Sequence, residues 1–198
     1  MRNPRLVLIL LAVSALAARP ALGQERVEGD LYANAKYGIQ IGKPSSWYFI
    51  TAGTVVDLAR KAGGGPRLRG DEDPVKLAGF AVVVSKVPSL GRGFQPQVVV
   101  LVRELSAPPG GMVKACEELR SGMTEPETVR PTRVVQVDGR PAARLDFQGL
   151  VDGEMVRATA LCAFRDRQAF VVVGQALASE FDSEFSTFEM ILSSFRLR

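Results

Sequence analysis

Apolar and polar positions change period along this chain, and the last third shows the change most plainly. From Thr132 to Ala176 they alternate with a period near two, interrupted at Asp138-Gly139, at Asp152-Gly153 and across Arg165 to Gln168. Such alternation marks strands with two unlike faces, and Asp-Gly pairs suit two-residue hairpins because both central positions need positive φ. Beyond Ala176 the period lengthens to about 3.6, which aligns Phe181, Phe185, Phe188, Leu192 and Phe195 along one side of a helix. A meander of hairpins is predicted, closed by one amphipathic helix and a short final strand. Pairing across Asp152-Gly153 sets Phe147 opposite Ala158, Leu145 opposite Ala160 and Ala143 opposite Cys162. On the other face Gln148 meets Arg157 and Asp146 meets Thr159. One face is thus an apolar core face and the other a polar ladder; a one-residue slip would exchange them, so the pattern favours this register.

Earlier in the chain, Tyr37 to Gly42 reads as a strand ended by Lys43-Pro44, after which Pro44 to Trp47 turns the chain and delivers its one tryptophan. Thr54 and Asp57 have capping-box spacing ahead of a short helix carrying Val55, Val56, Leu58 and Ala59. Two further strands are expected at Lys76 to Val87 and Pro96 to Leu105. Their runs Ala81 to Val84 and Val98 to Val102 are apolar at successive positions, which predicts a sheet covered on both faces. Met112, Cys116, Leu119 and Met123 follow helical spacing over Gly111 to Ser121, with Pro108-Pro109 before and Gly122 after. Arg60 to Pro74, rich in glycine and adjacent charges, is expected to be a mobile exposed loop.

The first residues change the meaning of the composition. Arg2 and Arg5 precede an apolar run from Leu6 to Ala18 that Arg19-Pro20 ends, too short to span a bilayer comfortably and suited to a secretory signal peptide. The organisation expected is therefore a signal peptide at 1–23, an N-terminal extension at 24–36 and one domain at 37–198. Three arginines leave with the leader, so 25 basic residues become 22 against 21 acidic ones, a net +1. Near neutrality excludes nucleic acid or an anionic membrane as partners chosen by charge, and removal of the leader leaves no integral membrane segment. The expected location is periplasmic or extracellular. The full chain has 46% hydrophobic residues, and the part left after the leader is long enough to bury a core without metals or disulfides.

The order of several short segments resembles the PsbP-like superfamily. These are Tyr37-Gly38-Ile39-Gln40-Ile41 leading to Pro44-Ser45-Ser46-Trp47; Phe94-Gln95-Pro96 before Val98-Val99-Val100; Asp138-Gly139-Arg140-Pro141-Ala142; and the ending Ile191-Leu192-Ser193-Ser194-Phe195. The similarity runs from about Leu31 to Arg198. It implies an α+β fold, an antiparallel sheet of about six to seven strands with helices on both faces, in an α/β/α sandwich. The superfamily's known members are mostly accessory or binding proteins, and a shared fold does not fix an activity.

The chemical inventory is sparse. The chain has no histidine, which removes the commonest general base and zinc ligand. Asp146, with Arg144 and Arg157 nearby, is either a charged site or a solvated, salt-bridged sheet face, and the second reading is the commoner one. Asp71, Glu72 and Asp73 lack the spaced pattern of a calcium loop, and Gly63-Gly64-Gly65 lacks the ending of a phosphate-binding loop. No cofactor or metal is expected. Trp47 and Tyr48 could line a surface pocket, although a lone tryptophan beside a strand end is more often a core anchor. Trp47, Tyr48, Asp146 and Arg157 are the surface candidates. Cys116 and Cys162 either form a disulfide, if the central helix covers the apolar face, or stay as two buried thiols.

Three functions fit. The first is a non-catalytic envelope accessory protein that engages a protein partner, and it best suits the inventory. The second is a carrier or chaperone for an apolar ligand or membrane segment. The third is an enzyme built on carboxylates without histidine.

Overall fold

The computed structural model describes residues 25–61, 73–88, 94–105, 111–117 and 123–198. The expected signal peptide, most of the expected glycine-rich loop and the last residues of the helix expected over Gly111 to Ser121 lie outside the described residues. Two antiparallel sheets and four helices make up the described fold. The smaller sheet joins β1 (Glu25–Glu28), β2 (Leu31–Asn34), β3 (Ile39–Gly42) and the terminal β11 (Arg196–Leu197) in the order β1-β2-β3-β11. The larger joins β4 (Tyr48–Thr51), β5 (Val82–Ser85), β6 (Gln97–Glu104), β7 (Thr124–Val137), β8 (Arg140–Val151), β9 (Glu154–Arg165) and β10 (Gln168–Leu177), in the order β4-β5-β6-β10-β9-β8-β7. Helices α1 (Ala52–Lys61), α2 (Pro74–Ala78), α3 (Met112–Glu117) and α4 (Ala178–Ser194) complete the chain.

The meander follows from its turns. Asp138 and Gly139 take φ of 48° and 73°, Asp152 and Gly153 take 51° and 84°, and Asp166 opens the third turn at 54°. Positive φ at both central residues gives a two-residue hairpin the twist that its strands need. The β8–β9 register sets Phe147 opposite Ala158, Leu145 opposite Ala160, Ala143 opposite Cys162 and Asp146 opposite Thr159, as the hydrophobic pattern requires.

Helix α4 lies across β10 and β9 and reaches β3. Phe181, Phe188, Ile191 and Leu192 are buried in one core with Phe170, Val172 and Val100 of the large sheet and Ile39 and Ile41 of the small one. Close approach depends on Gly174: a Cβ there would stand 2.9 Å from Phe188 Cγ. Trp47 meets the Phe188 ring edge-on at 6.2 Å. On the opposite face α3 sits on β8 and β9, so the large sheet carries a helix on each side.

Three local expectations change. Residues Pro74 to Ala78 form a helix that takes in Lys76 to Ala78, where a strand was expected to begin. Asp73 caps it by accepting from the Val75 N–H at 3.0 Å, Pro74 opens it, and Gly79 closes it at φ 76°. Helix α1 begins at Ala52, earlier than the Thr54–Asp57 spacing suggests, and Thr51 Oγ1 accepts from the Thr54 N–H at 3.2 Å. The stretch 24–36, expected to be an extension, holds β1 and β2 from Glu25 onward, with Tyr32 fully buried in the core. Tyr32 secures it by donating from its hydroxyl to the Ala81 carbonyl at 3.3 Å.

Candidate functional site

Strands β6 and β10 pair antiparallel, Val99 opposite Val173 and Leu101 opposite Val171. Alternation sends Val98, Val100 and Val172 toward α4, where they are fully buried. Val99, Leu101 and Val173 go to the other face and stay only half buried. Among the described residues of this face, α3 covers β8 and β9. Cys116 and Cys162 form a disulfide there, with a Cα–Cα distance of 6.0 Å. The bridge pins α3 over Ala143, Leu145 and Ala160, leaving an apolar hollow of about 280 Å³ beside it. Val99, Leu101, Met123, Phe147, Val171 and Val173 line it. Met123 closes one end by lying against Gly149, where a Cβ would come within 3.0 Å of the Met123 Cβ. Arg103, exposed, is the charged residue at its margin.

The α4 face has a different character. Its polar ladder is buried rather than solvated. Arg144 Nε and Nη2 donate to Thr159 Oγ1 at 3.0 and 2.7 Å, Thr159 donates to Asp146 Oδ1 at 2.5 Å, and Arg144 pairs with Glu189 of α4. Asp146 is 8% exposed and Thr159 not at all. Arg157 pairs with Asp182 at 3.0 Å and stacks on the Phe181 ring at 4.7 Å. The network ties α4 to the sheet: each buried polar group is satisfied by another, the condition for burying it at tolerable cost. Beside it, a cleft of about 250 Å³ opens between the β7–β8 hairpin and the C-terminal half of α4.

A third cluster locks α2 to the hairpin of the small sheet. Asp73 accepts hydrogen bonds from Tyr37 Oη, from Lys36 Nζ at 2.5 Å and from the Val75 N–H. Burial alone would push the Asp73 carboxyl up, but these three donors outweigh it and hold it below the ordinary carboxylate range. Burial and the Asp73 carboxylate push the Tyr37 hydroxyl up. On the neighbouring surface Lys76 and Glu104 pair at 2.8 Å, each favouring the charged form of the other.

The candidates from the sequence therefore separate. Of the four surface candidates, Trp47 is 4% exposed and serves the core, Asp146 is buried, and Arg157 is held against α4. Tyr48 is the exposed one, at 46% on edge strand β4. Asp73 is a helix cap and latch rather than a solvated charge, while Asp71 and Glu72 lie outside the described residues. The hollow escaped attention because both faces of β6 are apolar over Val98 to Val102, so the sequence does not mark which of them is open.

This arrangement defines a class: an antiparallel sheet sandwiched between a long C-terminal helix and a shorter layer. The fold is PsbP-like. Among solved structures, the cyanobacterial PsbP (CyanoP) of Synechocystis sp. PCC 6803 superposes with a TM-score of 0.51 at 16% identity, covering 92% of this chain and 99% of that one. LpqN of Mycobacterium tuberculosis, described as involved in cell envelope biogenesis, gives 0.55 at 9% identity, over 91% of this chain and 87% of that one. No protein-family model matches the sequence, and no curated protein matches it either. Among the described residues, no helix is long and apolar enough to cross a membrane.

Proposed function

We propose that this protein is exported to the cell envelope, periplasmic or extracellular, and acts there as a non-catalytic accessory protein that binds a protein partner. The observation that carries the reading is the open apolar hollow over β6 and β10. Water-facing valine and leucine side chains on a regular sheet face lose apolar exposure when a partner covers them, about 25 cal/mol per Å². At about 280 Å³ the hollow is small and open. Pockets that enclose a ligand run from about 300 to 1,000 Å³, so this one suits an apolar side chain presented by another protein better than a whole lipid. Likeness to an envelope-biogenesis protein and to a PsbP supports the same reading at the level of fold.

The test is a photoreactive amino acid placed at Leu101 in the living cell, with the same residue at Met155, on the exposed hairpin of β9, as control. A discrete protein adduct from Leu101 and none from Met155 supports the proposal. An adduct with lipid from Leu101 supports the carrier reading instead. Equal labelling at both positions contradicts a binding role for the hollow.

A further inference from the structure

Strand β7 ends the order of the large sheet, so its outer edge pairs with no other described strand. Free edges invite further strands, and proteins guard them with prolines and bulges. The first half of β7 is guarded in this way: Pro126 and Pro131 lack an N–H, and the register with β8 shifts three times between Thr124 and Arg133. From Arg133 to Val137 the register is unbroken. The two-residue turn makes Val137 and Arg140 the first hydrogen-bonded pair. Alternation then makes Gln136 opposite Pro141, and Val134 opposite Ala143, the unbonded pairs; Pro141, with no N–H to give, fits that phase. The N–H and C=O groups of Val134 and Gln136 therefore point away from β8, spaced as an added strand requires. Val134 is also 59% exposed.

The second observation is charge. Arg133, Val135 and Val137 share a face and form one wall of the 250 Å³ cleft; Glu189 and Leu192 of α4 lie on the other. Arg144 is engaged by Thr159 and Glu189, and Arg196 stands 3.5 Å from Asp138. Arg133 lies directly opposite Arg144, a like-charge juxtaposition that costs stability. Neither Arg133 nor Arg140 has an ion pair among the described residues, and both are exposed. The edge thus carries surplus positive charge beside unpaired backbone groups. A second copy of this chain would bring the same arginines to its own edge, which disfavours self-pairing.

We propose that the edge of β7 from Arg133 to Val137 docks an extended acidic segment of a protein partner. The segment adds one strand through Val134 and Gln136 and sets a carboxylate over Arg133 at the mouth of the cleft. Main-chain bonds supply affinity in this mode, and the bidentate guanidinium supplies selection for the acid. The proposal rests on the partner-binding role above but uses different residues from the hollow, so each can fail alone.

The experiment is an amide NMR titration of the protein purified after export, with a short peptide alternating valine and glutamate and a second alternating valine and lysine. Shifts confined to Arg133 through Arg140, with the glutamate peptide tighter by at least about tenfold, are expected. Gln136→Pro, which removes an outward backbone donor together with the side-chain amide that reaches the Gly139 and Arg140 carbonyls, should abolish binding, and Arg133→Glu should reverse the preference between peptides. Unchanged Val99 and Val173 signals in both variants show that the fold is intact. Binding of neither peptide, equal binding of both, shifts centred on Leu101, or a concentration-dependent dimer through β7 would each overturn the proposal. Leu101 crosslinking in the cell is a separate readout, so the role of the hollow can stand when the edge proposal fails.

Discussion

The two faces of the large sheet are closed by different means. Under the 17-residue α4, aromatic side chains interlock with Phe170, Val172 and Gly174, and a satisfied polar network seals the side over β8 and β9. Under the described residues of α3, a disulfide holds the cover against a smaller apolar cluster. The first face is filled by packing over β6 and β10, and its one opening is the cleft of about 250 Å³ at the β7–β8 margin. The second is stapled, and the part beyond the staple stays open. Stability is concentrated on one side, which frees the other to carry an apolar surface that the fold itself does not need.

Attacking each face separately should expose that asymmetry. Phe188→Ala, in the centre of the α4 core, should cost about 3–5 kcal/mol in denaturant unfolding, because the cavity is flanked by Trp47 and Phe181 and cannot collapse. Breaking the staple with Cys116→Ala should cost less, about 2–4 kcal/mol for a loop of 46 residues, and reductant should reproduce the loss in the unmodified protein. Thr159→Val should cost about 1–3 kcal/mol by the same measurement, since Asp146 and Arg144 lose a shared partner inside the sheet.

Asp73→Asn removes a cap and part of a latch, and about 1 kcal/mol is expected at neutral pH. Its sign with pH is fixed. The folded carboxyl sits below its ordinary value, so its contribution is present above about pH 4 and is lost as pH falls through the lowered value. The Asn variant should therefore show a shallower acid loss of stability than the parent in unfolding curves. The smallest effect is expected at Leu101→Asn, under about 1 kcal/mol, because the position is already half exposed; with the photoreactive residue moved to Val99, the same change should sharply reduce the adduct at the hollow.

How legible each face was depends on what its residues announce. Hairpins with Asp-Gly turns and strict alternation show their register in sequence, and the β8–β9 pairing carried through residue by residue. The 3.6 period of Phe181 to Leu192 marked α4 equally well. Which sheet face α4 would take was not legible. Arg144 and Arg157 looked solvated because their partners Glu189 and Asp182 lie more than 20 residues away on another element, and Asp146, bonded to Thr159, shares the face that α4 covers. Helix α2 was obscured by its length: five residues, Pro74 to Ala78, run into an apolar strand, and only the Asp73, Pro74 and Gly79 punctuation sets it apart. Strand β1 is short and charged, and its burial partners come from β4 and α1 through Glu25, which accepts from Thr51 Oγ1 at 2.8 Å. The hollow was invisible because two apolar faces on β6 imply two covers, and one of those covers is incomplete.

The central claim, one closed face and one open, can be read directly from methyl NMR with a soluble paramagnetic agent. Neighbours on a single strand provide the contrast: Val99 and Leu101 against Val98 and Val100 on β6, and Val173 against Val172 on β10. Methyl signals of Val99, Leu101 and Val173 should broaden strongly while those of Val98, Val100 and Val172 stay sharp. Equal protection on both faces would mean that the hollow is covered in solution, and would contradict the account.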